Sequence, residues 1–152
     1  MDNIAFRRAT EADVAAIVAM LADDPLGAAR EDVSTPLANA YLAAFRAIDA
    51  DPNQYLAVMT DGDAVIGTLQ LTFIPGLSRK GALRGQIEAV RVASSRRGQG
   101  LGQRLFEWAI EQCRARGCRT VQLTTDRSRA DAHRFYERLG FEASHIGYKL
   151  AL

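Results

Sequence analysis

Cysteine is scarce in this chain: Cys113 and Cys118 are the only two in 152 residues. Two thiols cannot build a disulfide framework, and this pair matches no metal-binding spacing. Both read as small buried hydrophobes, and no metal is expected. Long hydrophobic runs are also missing. The longest, Val14 to Ala22, is far too short to cross a bilayer, so no membrane partner is expected. The opening residues (MDNIAFRRAT) lack a basic region followed by an apolar core. No signal peptide is read there, and a cytoplasmic location is the default expectation. Repeats, linkers and low-complexity stretches are absent as well.

What remains is 48% hydrophobic and 24% charged, the balance of a globular protein. The length fits one domain, residues 1–152, with a sizeable core. The net charge of +1 conceals an asymmetry. Residues 1–75 hold 4 Lys/Arg against 11 Asp/Glu, net −7, and residues 76–152 hold 15 against 7, net +8. The basic half suits a polyanionic ligand, and the acidic half could face a cationic one. Coincidence of surface charges would give the same totals.

Along the chain, Asn3 to Ala9 alternates as a strand. Thr10 is a good helix N-cap with Asp13 three residues on, and Val14, Ile17, Val18 and Leu21 follow at helical spacing. Asp23-Asp24-Pro25-Leu26-Gly27 ends that helix, and residues 27–33 form a charged connector. A second helix starts at Ser34 or Thr35 with Pro36 at its first position, carries Leu37, Tyr41, Leu42 and Phe45, and stops at Asp51-Pro52-Asn53. Gln54–Met59 and Ala64–Ile74 read as a hairpin around Asp61-Gly62. Residues 75–81 are a loop. Gln86–Val92 is a buried strand, antiparallel to its predecessor. A helix runs from Leu101 to about Ala115, then a short strand over Thr120–Thr124, a helix over Ala130–Leu139, and one or two closing strands over Phe141–Leu150. A strand–helix–strand crossover of this length implies parallel pairing.

The informative stretch is Gln86 to Gly102, QIEAVRVASSRRGQGLG. A strand feeds a glycine loop that opens a helix, so several backbone N–H groups and the helix dipole converge on one spot. A phosphate is the natural guest there. No lysine follows the glycines as a P-loop would require, and counting from Gly98 the third glycine of a dinucleotide fingerprint is replaced by Gln103. What matches is R-x-x-G-x-G, filled by Arg97, Gly100 and Gly102. Some thirty residues later, Ala132 to Phe141 fills A-x-x-x-Y-x-x-x-G-F.

These two motifs, in a β-α-α-β-β-β-α-β-α-β order, resemble the GNAT superfamily of N-acetyltransferases over nearly the whole chain. The resemblance implies an α/β (α+β) fold with a mixed, mostly antiparallel central sheet, a splayed parallel strand pair and about four flanking helices. It implies an acetyl-CoA-dependent enzyme moving an acetyl group to a primary amine by direct attack in a ternary complex. Acetyl-CoA is then a cosubstrate. By resemblance, the backbone of Val90, Arg91 and Val92 holds the pantetheine arm and thioester carbonyl. The loop Arg97, Gly98, Gln99, Gly100, Leu101, Gly102 and Gln103 holds the pyrophosphate. Tyr136 occupies the general-acid position, where its phenol donates to the leaving thiolate; as a plain member of the helix stripe it would only pack. Glu88 is the candidate base, a carboxylate set among apolar neighbours, the condition under which a base is tuned; a structural ion pair with an arginine is the alternative. Family members often carry Asn where this chain has Arg129, which therefore contacts phosphate instead or leaves that cofactor contact unfilled.

His133, beside Arg134 on a helix flank, reads as structural; His145 lies in the last strand region and reaches a substrate or nothing. Arg30, Glu31 and Asp32 lie on the connector that lines the acceptor pocket in this superfamily, so the acidic residues there hint at a cationic acceptor or the segment is a solvated loop. A non-catalytic acyl-CoA-binding or sensing domain on the same fold is the other functional class. A nucleic-acid module is disfavoured, since the basic half has no groove-reading motif and no interleaved aromatics. The acceptor is an amine on a small molecule or peptide, and a homodimer, common on this fold, stays open.

Overall fold

The computed structural model describes residues 2–152. The elements run β1 (Ile4–Arg8), α1 (Val14–Ala22), α2 (Pro25–Arg30), α3 (Asn39–Ala50), β2 (Gln54–Asp61), β3 (Ala64–Ile74), α4 (Ser78–Gly81), β4 (Arg84–Val92), α5 (Leu101–Ala115), β5 (Thr120–Gln122) and α6 (Ala130–Arg138). α4 is a single turn in which Arg79 and Lys80 have left-handed backbone, φ 53° and 61°. The five strands form one sheet in sequence order. All neighbours are antiparallel except β4 and β5, which are parallel. This is the mixed, mostly antiparallel sheet that the sequence implies.

Alternation along the strands feeds two cores. Ala57 and Met59 of β2, Leu69, Leu71 and Phe73 of β3 and Ile87 of β4 face α5, where Leu101, Leu105, Phe106, Ala109 and Cys113 make the buried stripe. Val58 and Leu56, offset by one residue, face α1 and α3, meeting Val14, Ile17, Val18 and Phe45. Burying each large apolar side chain contributes about 1.5–3 kcal/mol, so α5 is firmly seated along its length. At Gly85 the helix comes so close that an added Cβ would lie 2.4 Å from the Cys113 sulfur. Burial pushes the Cys113 thiol up to about 12, so it is an inert core group.

Asp13 ties the first strand to the first helix. Its carboxylate accepts from the backbone N–H of Thr10 at 2.7 Å and from Arg7 at 2.6 and 3.0 Å. The Arg7 guanidinium, chiefly, holds this carboxyl down at about 2.

Three expectations are corrected. The connector contains a helix: α2 starts at Pro25, because Asp24 caps it, accepting from the Gly27 N–H at 2.5 Å, with Pro25 in the first turn. The next helix begins at Asn39 rather than at Pro36. Phe141–Leu150 forms no strand: residues 142–152 have no strand assignment and are exposed throughout. β propensity in Ile146, Tyr148 and Leu150 is not enough without a neighbouring strand to bond to. Among the described residues, no helix is long and apolar enough to cross a membrane.

Candidate active site

β4 changes character halfway along. Ala89 has φ 54°, a left-handed conformation rare outside glycine, and the β3–β4 register slips opposite it, between Thr68 and Gln70. This is a bulge, a device that re-aims a strand beside functional sites. β5 pairs with β4 only from Arg84 to Gln86. Beyond that point the two parallel strands part company. Arg91 and Val92 therefore pair with β3 on one side, opposite Thr68 and Gly67, and Val90 to Val92 present an edge on the other that β5 does not pair. The Arg91 guanidinium folds back to donate to the Val90 carbonyl at 2.8 Å.

That edge runs into the glycine loop. Ser94–Arg96 makes one tight turn, Arg97 is extended, and Gly98 and Gly100 have φ 78° and 74°. Gly100 is the N-cap of α5. The first N–H groups of a helix have no partner inside it, and those of Leu101, Gly102 and Gln103 begin a helix of 15 residues. No atom lies within 4 Å of where a Cβ would sit on Gly98 or Gly100, so the space before the loop is clear. Leu101 is buried and anchors the loop to the core, while an added Cβ on Gly102 would meet Phe135 of α6 at 4.0 Å. Side chains brace the rest. Arg96 donates to Asp61 at 2.8 Å and to Gln99 at 3.1 Å, Arg97 to the Asp23 carbonyl at 3.1 Å, and Gln103 to Glu107 at 2.8 Å. This donor set, with clear space and a half-exposed Arg97 beside it, fits a diphosphate.

Tyr136 is half-buried. Its ring packs edge-on against Phe106 at 5.5 Å, Phe135 at 5.7 Å and Phe141 at 6.2 Å between centroids. The aromatic stripe and the acid position in the sequence motif are thus the same residue in one packing cluster.

Glu88 is placed otherwise than the sequence suggests. Ile87 points into the α5 core and Glu88 to the opposite face, where it is exposed. Its apolar surroundings are absent; its neighbour is the Thr72 hydroxyl, 3.4 Å away. It belongs to a polar row crossing that face, which the sequence reading missed. Thr72 and Gln70 both donate to Gln54 Oε1, at 3.0 and 2.9 Å, and Gln122 donates to Gln86 at 3.0 Å. The signal was available: these positions alternate with the core residues of β3 and β4.

Arg129 lies just before α6 and donates to Asp24 at 3.3 Å. Asp24 also faces the Arg91 Nε at 3.4 Å. That Nε is buried and too poorly aligned to count as hydrogen-bonded. Arg91 is only 20% exposed. Burial, chiefly, lowers its pKa; Asp24 opposes this, and Arg129 and Arg30 reinforce it. Asp24 itself is held below the usual carboxylate range, first by the Gly27 N–H and then by Arg129 and Arg91.

The charge asymmetry has a structural use. Six of the ten ion pairs among the described residues join the acidic half to the basic half: Arg30–Asp126, Arg91–Asp24, Arg96–Asp61, Arg97–Asp23, Arg104–Asp2 and Arg129–Asp24. The acidic residues of the connector serve their own loop. Glu31 accepts from the Tyr41 hydroxyl at 2.8 Å, and Asp32 accepts from the Ser34 N–H at 2.9 Å. His133 is part-buried, its ring 3.4 Å from the Asp126 carbonyl, and His145 is exposed beside Ser144. Among the described residues, no group of His, Cys, Asp or Glu could hold a metal ion.

A model of the acetyltransferase (GNAT) family matches residues 16–141. The aminoalkylphosphonate N-acetyltransferase of Salmonella typhimurium is 34% identical over 113 residues, covering 74% of this chain and 73% of that protein. The glucosamine 6-phosphate N-acetyltransferase of Trypanosoma brucei brucei is 36% identical over 88 residues, 58% of each chain. A crystal structure described as a transcriptional regulator from Bacillus halodurans C-125 superposes with a TM-score of 0.95 at 49% identity, covering 98% of this chain and 99% of that one.

Proposed function

This chain belongs to the acetyltransferase (GNAT) family and is an N-acetyltransferase, and on that premise we propose that it moves the acetyl group of acetyl-CoA to a primary amine by direct attack in a ternary complex. The observation that carries the reading is the unpaired edge at Val90–Val92 running without a break into the glycine loop at the start of α5. In this reading the loop from Arg97 to Gln103 takes the diphosphate, and the edge takes the pantetheine amides and the thioester carbonyl. Bound there, acetyl-CoA supplies the activated acyl group.

The chain's own residues do the rest. A free alkyl amine is protonated near neutral pH and must lose a proton before its nitrogen can attack. Glu88, on the sheet face beside the bulge, accepts that proton directly or through a water. The nitrogen then bonds to the carbonyl carbon, and backbone N–H groups at Val90 to Val92 stabilise the oxyanion. As the carbon–sulfur bond breaks, Tyr136 passes its phenolic proton to the departing sulfur. Arg129, which shares Asp24 with Arg91, meets a phosphate group other than the diphosphate. The acceptor is a small-molecule amine, supported by the two relatives named for aminoalkylphosphonates and glucosamine 6-phosphate.

The test is release of free thiol from acetyl-CoA with a panel of amines, on wild type and Tyr136→Phe. Amine-dependent release that drops roughly 10²- to 10⁴-fold in the variant, with acetyl-CoA binding retained, supports the assignment. Equal rates in the two proteins would remove Tyr136 from it.

A further inference from the structure

Three arginines gather where the chemistry is placed. Arg91 sits on β4 beside the bulge, Arg129 just before α6, and Arg30 at the end of α2. Arg129 is the residue that opens α6, the helix that carries Tyr136, and Arg91 follows the bulge at Ala89, so the group lies at the Tyr136 end of the groove. Asp24 is the carboxylate that two of them share: it faces Arg91 at 3.4 Å and Arg129 at 3.3 Å. Arg30 has only a distant partner, Asp126 at 3.9 Å. Three guanidiniums against two carboxylates leave one positive charge over, and the Nε of Arg91 is buried without a hydrogen-bond acceptor. These arginines also tie the two halves of the chain together, but three cations beside two carboxylates repel one another, a cost that an anion would relieve.

The diphosphate of acetyl-CoA does not account for this group. Its proposed seat is the loop from Arg97 to Gln103, and the long neutral pantetheine arm separates diphosphate from thioester. An anion held beside Tyr136 therefore belongs to the acceptor. Glu88 lies on the same face of β4 as Arg91, since Ile87, Val90 and Val92 all pack toward α5. An acceptor there meets a carboxylate at one end and guanidiniums at the other.

We propose that the acceptor is a small amine carrying a phosphate or phosphonate group, the amine directed to Glu88 and the phosphorus acid group held by Arg91, Arg129 and Arg30. This deepens the transferase reading and rests on it. Arginine presents paired donors that match phosphate oxygens, and a group of this charge and geometry uses all three side chains. Asp24 keeps Arg91 and Arg129 in place when the acceptor is absent.

The test compares amines that differ only in the acid group: 2-aminoethyl phosphate against ethanolamine, and 3-aminopropylphosphonate against propylamine. Two readouts are taken, thiol release and the thermal midpoint with each amine alone. The expected result is a KM at least tenfold lower for the acidic member of each pair, and a midpoint raised by that member only. Arg30→Glu, a half-exposed position outside the cofactor groove, abolishes both differences while the KM for acetyl-CoA stays unchanged. If acidic and neutral amines are used equally well, or if Arg30→Glu keeps the preference, the anion subsite is wrong and the transferase reading survives. If the acidic amine raises the midpoint through Arg30 but no amine releases thiol, the subsite stands and the transferase mechanism falls.

Discussion

The Cys113 sulfur on α5 fills the space that a side chain at Gly85 on β4 would need, with only 2.4 Å between it and the position of a Cβ. α5 carries the glycine loop at its N-terminus, so this close approach sets how the anion-binding end sits relative to the splayed strands. Gly85→Ala forces the helix outward and costs about 1–3 kcal/mol by overpacking. Cys113→Ala in the same chain removes the sulfur and recovers part of that loss, although the Cys113 Cβ, 3.3 Å away, remains. Denaturant midpoints of the two single variants and the double variant check this. Strict additivity would show that the contact does not govern the fit.

Gly100 concerns the loop itself. Its φ of 74° is open to glycine at little cost. A side chain there costs roughly 1–2 kcal/mol in backbone strain and stands in the clear space before the helix. Gly100→Val is expected to raise the KM for acetyl-CoA at least tenfold while the KM for the amine changes little. Equal rises in both would mean that the loop is damaged in general and does not hold the diphosphate.

Glu88 has the proposed role of base despite its exposed position. Glu88→Gln keeps the size of the side chain beside Thr72 and removes the proton acceptor. The expected outcome is a fall in kcat/KM of roughly 10²-fold and loss of the acid-side limb in the rate–pH profile. Superimposable profiles would assign Glu88 to the polar row alone.

Asp13 makes stability depend on pH. Its carboxyl is held at about 2 in the folded chain, against an ordinary 3.8. A depressed carboxyl stabilises the fold where it is ionised in both states, so the contribution is complete above about pH 5 and fades as pH falls toward 2. With Arg7 44% exposed, the amount is about 1–2 kcal/mol after discounting for solvent. Asp13→Asn should therefore lower the urea midpoint at neutral pH, and the gap to wild type should close in acid. A gap that persists at pH 2 would mean that the ion pair is not its source.

The element order was legible because each helix and strand carries its own period: Val14, Ile17, Val18 and Leu21 for α1, and the alternation of Leu69, Leu71 and Phe73 for β3. The glycine loop was legible because phosphate binding at a helix start is local chemistry, written in consecutive residues. α2 was missed although Asp24-Pro25 is an N-cap followed by a first-turn proline; six residues are too few to show a period.

Where Glu88 points was not legible. The chain fixes its place on a strand, but the bulge at Ala89 and the cover given by α1 and α3 decide whether that face is dry. The missing last strand has a similar origin, since a strand exists only if another lies beside it, and β5 ends at Gln122. The meeting of Arg91 and Arg129 at Asp24 joins positions up to 105 residues apart. Local periodicity and motif chemistry came from the sequence alone. The pairing of charges from its two halves, and with it the character of the acceptor end, was decided by folding, because contact between distant residues depends on how the sheet brings them together.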